Sequence, residues 1–225
     1  MNPETLNTCS LLVKKWRAAY DLENKKAPDE EIRERAYKLI LEELLEADKV
    51  KTRKGLRDLY ADLVFFCLSA LQEGGCSITF YKGFGSGCTF DEPYCKNKYM
   101  SAAGSLTWTF LAQGRLGRMY SDTEISFADM LVDILRMVVA ICGRVISESM
   151  FLKDFTLVYE NNMKKYWTNA EVQKALGFEV HLFDSIFDQR TNNQYTKKNN
   201  IQNKWIVKDA RGKVLKPPGF KEVKL

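Results

Sequence analysis

Residues 39–66 read LILEELLEADKVKTRKGLRDLYADLVFF, and this stretch decides the fold. Its first part carries Glu42, Glu43 and Glu46 inside an apolar run; its second carries Asp58 and Asp62 at the head of another. Apolar spacing of three and four predicts two helices, about 30–50 and 56–72, broken at KTRKG with Gly55 as the break. On the first helix, the period sets Glu43 and Glu46 on the stripe of Ile32, Ala36, Leu39 and Ile40, the side expected to pack inward. On the second, Asp58 and Asp62 share a face with Phe65, Phe66 and Ser69. Carboxylates turned toward a core are costly unless paired, protonated or bound to metal. No matching row of Lys or Arg is expected on these faces. A hard divalent cation, Mg²⁺ above all with Mn²⁺ as a substitute, is the simplest group to hold them.

Working outward, helices are expected at 6–22, 100–118, 124–147 and 151–166, with a short one from Asn169 in TNAEVQKAL, a capping sequence. In ENKKAPDEE, Asp29 is expected to cap the helix that follows. Residues 76–98 are rich in Gly, Cys and aromatics and lack a helical period, which reads as an inserted loop or short hairpin; GFGSG at 83–87 suggests a lid. Residues 181–203 are polar and Asn-rich and are expected to be a flexible connection. KWIVKDARGKVLKPP at the end alternates about a turn near 210–212, a β-hairpin. The expectation is therefore a mainly α protein. It would have a helical bundle domain over 1–180 and a small C-terminal hairpin within 181–225. Asp129-Met-Leu-Val-Asp133 echoes Asp58-Leu-Tyr-Ala-Asp62, each a D-x-x-x-D heading an apolar helix.

The chain has 225 residues, 45% hydrophobic and 28% charged, with 34 Lys and Arg against 29 Asp and Glu, net +5. That excess is mild and gathers in the last third, for example Lys197, Lys198, Lys204, Lys208, Arg211, Lys213, Lys216, Lys221 and Lys224. It suits a small polyanion such as a nucleotide better than a duplex. The start, MNPETLNTCSLLVKKW, lacks the apolar region of a secretory signal. The longest apolar run, MLVDILRMVVAICGRVI, is interrupted by Asp133 and Arg136, so no membrane partner is expected. Cys67 and Cys142 lie in apolar helical patterns and read as buried free thiols, in keeping with a reduced cytoplasmic setting.

Other chemistries are poorly served. The lone histidine, His181 in FEVHLF, reads as structural, and any Ser-His-Asp or Cys-His site would depend on it. Cys76, Cys88 and Cys95 lack zinc-knuckle spacing. GFGSG fits neither glycine-rich phosphate motif.

EE-x-x-E on one helix, followed by an acid-headed helix, resembles the all-α nucleoside triphosphate pyrophosphohydrolases: the MazG-like enzymes, dimeric dUTPases and phosphoribosyl-ATP pyrophosphohydrolase-like proteins of bacteriophages. Asn161-Asn162-Met163-Lys164-Lys165-Tyr166-Trp167 resembles the N-M-x-K segment of the phage-type members. Gly212-Lys213-Val214-Leu215-Lys216-Pro217-Pro218-Gly219-Phe220 resembles their C-terminal hairpin. The pattern departs at Leu59, where an E-x-x-D motif has its acid; Asp58 would supply it one residue earlier. Either residues 73–125 are an insertion, or the chain holds two half-modules and Asp129 and Asp133 join the site.

The resemblance implies cleavage of a nucleoside triphosphate between the α and β phosphates in a host cytoplasm. Glu43, Glu46 and Asp62 would be catalytic, and Mg²⁺ would be held by them with Glu42 and Asp58. Asn162, Lys165, Lys213 and Lys216 would bind substrate, and a homodimer or higher homo-oligomer is expected. The rivals are a non-catalytic protein on the same bundle, sequestering a nucleotide or binding a host protein, and a nucleic-acid-associated protein using the basic last third. For Asp129 and Asp133 a helix N-terminus that favours acids is the plainer alternative. For Asn162 and Lys165 it is a surface helix end, and for Lys213 and Lys216 a hairpin surface.

Overall fold

A computed structural model describes residues 1–20, 22, 29–76, 80, 84–85, 97–112, 114–121, 126–198, 204–210 and 213–221. The chain is mainly helical with a small antiparallel sheet. It divides into two compact units after Tyr159, earlier than the boundary at 180.

The first unit is built on α3 (Arg53–Glu73), against which α1 (Pro3–Ala19), α2 (Asp29–Glu46), α4 (Lys98–Thr107) and α6 (Phe127–Cys142) all pack. The reason lies in its sequence. Leu56, Leu59, Tyr60, Ala61, Leu63, Val64, Phe65, Cys67, Leu68, Ala70 and Leu71 are all buried, so α3 is apolar nearly all round and is enclosed by its neighbours. Thr52 caps it, its Oγ1 accepting from the Gly55 N–H at 3.2 Å. Aromatic rings extend the core: Trp16 meets Phe65 edge-on at 5.0 Å, and Tyr60 packs on Phe151 at 4.3 Å. Phe151 and Phe155 come from α7 (Glu148–Met163), within which the division into units falls.

The helix expected over 100–118 is two helices. After α4 the backbone widens into a π-helical turn, Trp108–Ala112, and α5 (Arg115–Ser121) begins beyond Gly114, whose φ is 62°. An apolar period that continues through LTWTFLA hides this break. α2 ends at Glu46 with a 3₁₀ turn, Ala47–Lys49. Asp29, expected to cap α2, is instead its first helical residue, and most of the 76–98 loop lies outside the described residues. Of that loop, Phe84 is buried and Gly85 adopts φ 86°, and a Cβ there would stand 3.1 Å from the Arg136 carbonyl on α6. This part of GFGSG is therefore packed against a helix rather than held off as a lid. Among the described cysteines, Cys9, Cys67 and Cys142 are buried free thiols. Burial pushes the Cys9 and Cys67 thiols up to about 12.

The second unit corrects the expected flexible connection. Within 181–203 lie β2 (Ser185–Asp188) and β3 (Asn193–Lys197), paired antiparallel. With β1 (Trp167–Thr168) and β4 (Lys204–Lys208) they form a sheet of order β1-β4-β3-β2. The pairing expected of the C-terminal hairpin is present: the Leu215 N–H donates to the Val207 carbonyl at 2.8 Å, and Lys208 bridges Val214. α8 (Asn169–Leu176) follows a capping box in which Glu171 accepts from the Thr168 N–H at 2.8 Å. Trp167, Val172, Leu176, Val180, Tyr195, Trp205 and Val207 make the core, with Ile186 and Leu215 against it. Both indoles are satisfied, Trp205 Nε1 donating to Asn169 Oδ1 at 2.7 Å and Trp167 Nε1 to the Leu215 carbonyl at 3.0 Å. Because α8 packs into this core, the boundary falls before it.

Candidate functional site

The phase of α2 differs from the sequence expectation. Its buried stripe is Ile32, Ala36, Ile40, Leu44 and Ala47. At about 100° per residue, Glu43 stands roughly 40° from the centre of that stripe and Glu46 roughly 100°. Glu43 is accordingly half-buried, and Glu46 and Glu42 are exposed. Leu44 and Ala47 take the inward positions. Glu46 does not face the core.

On α3, Asp58, Asp62, Phe66 and Ser69 are half-buried and form a strip on the least enclosed face. An ion pair ties the strip to α2: Arg35 reaches Glu73, which lies on the strip's continuation. α2 and α3 are joined by a short turn and pack side by side, so they run antiparallel. Arg35, Leu39, Glu42 and Glu46 share one edge of α2, with Glu43 beside them, and Glu73, Ser69, Phe66, Asp62 and Asp58 share one edge of α3. The Arg35–Glu73 contact shows that these edges meet. Followed toward the connecting turn, roughly 16 Å along at 1.5 Å per residue, the same edges carry the five carboxylates. The far end is basic as well: Arg17 from α1, 4% exposed, donates to the Ser69 carbonyl at 3.3 Å and stands 3.7 Å from Glu73. Arg35 is thus a cation on the α2 edge that the sequence reading did not provide for.

The donor set is all oxygen, the chemistry that Mg²⁺ takes. Among the described residues, however, no group of three or more His, Cys, Asp or Glu is close enough together to hold a metal ion. The carboxylates line the two edges rather than meeting at one point.

The second D-x-x-x-D pair has local partners. Ser126 Oγ caps α6 by accepting from the Asp129 N–H at 3.1 Å and donates to Asp129 Oδ2 at 2.6 Å. Asp133 stands 3.7 Å from Arg115 and 3.5 Å from Arg136. Asn162, Lys165, Lys213 and Lys216 belong to the second unit. Asn162 is buried in the last turn of α7 and Lys165 is half-buried just beyond it. The Lys213 N–H donates to Asp209 Oδ1 at 2.9 Å, and the Lys216 ammonium lies 5.5 Å from the Phe220 ring centre. His181 is exposed and 3.5 Å from Glu179.

Sequence reasoning also missed a pair beside the site. Asp154 of α7, fully buried, takes a bidentate grip on Arg57, with Arg57 Nε donating to Oδ2 at 2.7 Å and Nη2 donating to Oδ1. That hydrogen bond holds the Arg57 guanidinium above its usual range. Arg57 adjoins Asp58, so the pair anchors the acidic end of α3 to α7. The signal was a lone acid between Phe151 and Phe155 in FLKDF.

Comparison with known proteins found no match among family models, curated proteins or solved structures. No helix among the described residues is long and apolar enough to cross a membrane.

Proposed function

We propose that the chain hydrolyses a nucleoside or deoxynucleoside triphosphate to the monophosphate and pyrophosphate, with Mg²⁺, as a homo-oligomer in a reduced cytoplasm. The observation that carries this reading is the meeting of the α2 and α3 edges, whose register follows from Arg35 and Glu73 and whose turn-proximal ends carry Glu42, Glu43, Glu46, Asp58 and Asp62. These five would hold the cation once their side chains turn inward. Bound there, Mg²⁺ supplies neutralisation of phosphate charge and stabilisation of charge developing in the transition state. Glu43, beside the buried Leu44, accepts the proton of the attacking water. The water oxygen bonds to the α-phosphorus, the bond to the bridging oxygen breaks, and pyrophosphate leaves. Asp62 orients the water, and the Arg57–Asp154 pair keeps Asp58 in place.

One observation favours a second reading, a protein that binds nucleotide without turnover: no three of the acids are gathered. A screen of all canonical NTPs and dNTPs with Mg²⁺ and with EDTA, resolving NMP plus pyrophosphate from NDP plus phosphate, separates the two. Expected is Mg²⁺-dependent pyrophosphate release that falls roughly 10²–10⁴-fold in Glu43→Gln and in Asp62→Asn. Folded protein that binds a nucleotide and turns over none of them overturns the enzyme.

A further inference from the structure

Arg17 and Arg35 share one carboxylate and hold it differently. Glu73 lies between them, its side chain 12% exposed. Arg17 is fixed by ties of its own. It is buried, its Nη1 donates to the Ser69 carbonyl and, at 3.2 Å, to the Ser69 hydroxyl, and its Nη2 donates to the Leu22 carbonyl at 2.8 Å. Arg35 is tethered at one corner. Its Nη1 donates to Glu73 Oε1, its side chain is 28% exposed, and it has no other partner among the described residues. A guanidinium carries five N–H donors in a planar fork, so Nε and Nη2 are left to donate. Arg17 stands 3.7 Å from Glu73. The carboxylate therefore keeps a counter-charge when Arg35 turns away, and neutralising Glu73 does not by itself require Arg35.

On the reading of the α2 and α3 edges as a triphosphate site, on which this rests, we infer that Arg35 binds the terminal phosphate, the one that leaves within pyrophosphate. Arg35 shares its edge of α2 with Glu42, roughly 10 Å away at 1.5 Å per residue, a gap that an extended arginine and a phosphate chain close from its two ends. Charge calls for a cation there. Five carboxylates and a triphosphate repel one another, and a divalent ion held by the acids offsets only part of that charge. Lys49, Lys51, Arg53 and Lys54, at the other end of the edges, are exposed, and solvated charges of that kind contribute little. Arg35 is better shielded, and the fork of its guanidinium matches two oxygens of one phosphate. Glu73 is a positioning residue: it holds the guanidinium by one corner on the edge that meets α3, and Arg17 holds Glu73.

The test is calorimetric binding of inorganic pyrophosphate with Mg²⁺ to the full chain, beside a nucleoside monophosphate, which lacks the terminal phosphates. Arg35→Gln should weaken pyrophosphate binding roughly tenfold or more and leave monophosphate binding nearly unchanged. Arg35→Lys, a point charge without the fork, should recover only part of the loss. In the unaltered chain the Arg35 Nε–H resonance should shift as pyrophosphate is added and hold still with monophosphate, a second reading that needs no variant to fold. Pyrophosphate bound as tightly by folded Arg35→Gln overturns the inference, and so does an Arg35 resonance that does not move. An ion pair that serves the fold alone would lower the stability of Arg35→Gln without separating the two ligands, and that result overturns it too. Turnover is scored apart from these. Pyrophosphate release from a triphosphate with Arg35 idle keeps the hydrolase and removes Arg35 from it. Pyrophosphate held by Arg35 in a chain that turns over no triphosphate keeps Arg35 and removes the hydrolase.

Discussion

Each unit contains an Asp–Arg pair, and the two pairs do different jobs. Arg57 and Asp154 are 97 positions apart, join two helices, and leave the carboxylate fully buried. Asp188 and Arg190 are two positions apart and shape the turn after β2, where the Thr191 hydroxyl also donates to Asp188, at 2.9 Å. In the helical unit, charge is part of the tertiary framework. In the smaller unit the framework is an aromatic core, and charge closes a turn. A cut at Arg57 should therefore be costly, whereas in the second unit the costly cut is apolar.

Arg57→Ala should have the largest effect. It strands the fully buried Asp154 carboxylate without its partner, and the loss should be about 4 kcal/mol, read from urea unfolding. Asp154→Ala should cost less, because Arg57 is 21% exposed on its side chain and can turn toward solvent. Equal losses from the two would break the asymmetry and with it the claim that burial of the acid dominates.

Trp205→Ala comes next, at about 3 kcal/mol, near the lower end for a buried tryptophan because a small unit can collapse around the gap. The indole is fully buried and its Nε1 is bonded to Asn169. Protection of amides in β3 and β4 should fall while those of α3 and α6 hold. Loss of protection in α3 to the same degree would mean that the two units do not respond separately.

The same contrast explains what could be read in advance. α3 and α6 were legible because apolar residues recur on them at helical spacing over many turns, and the Thr168 capping box was legible in TNAEV. β2 and β3 were not, since each contributes little to the core: Ile186 from one and Tyr195 from the other, among Ser, Asn, Gln and Lys. Two short strands with one core contact apiece have no period to detect. At the site, the acids of α2 and α3 could be named from spacing, but not the phase that turns Glu46 outward. That phase is settled by Leu44 and Ala47 taking the buried positions. The Arg57–Asp154 and Arg35–Glu73 pairs were out of reach for another reason. Their partners are far apart in the chain, and helical periodicity says nothing of which helix meets which.

Arg190→Ala should have the smallest effect, and it tests the local half of the contrast. The Arg190 hydrogen bond, with Thr191 and the backbone assisting, holds the Asp188 carboxyl below the usual carboxylate range. A group whose folded value is lowered contributes stability that is present above its unfolded value and is lost as pH falls through the folded one. Without Arg190, the Asp188 carboxyl should titrate closer to the ordinary range, followed by its ¹³C carboxyl shift. Stability at neutral pH should change little, because the Thr191 hydroxyl still donates and Arg190 is solvated. An Asp188 titration left unmoved would assign its lowering to the turn backbone instead. A large loss of stability at neutral pH would make this pair as structural as the one between Arg57 and Asp154, and the distinction between the two units would fail.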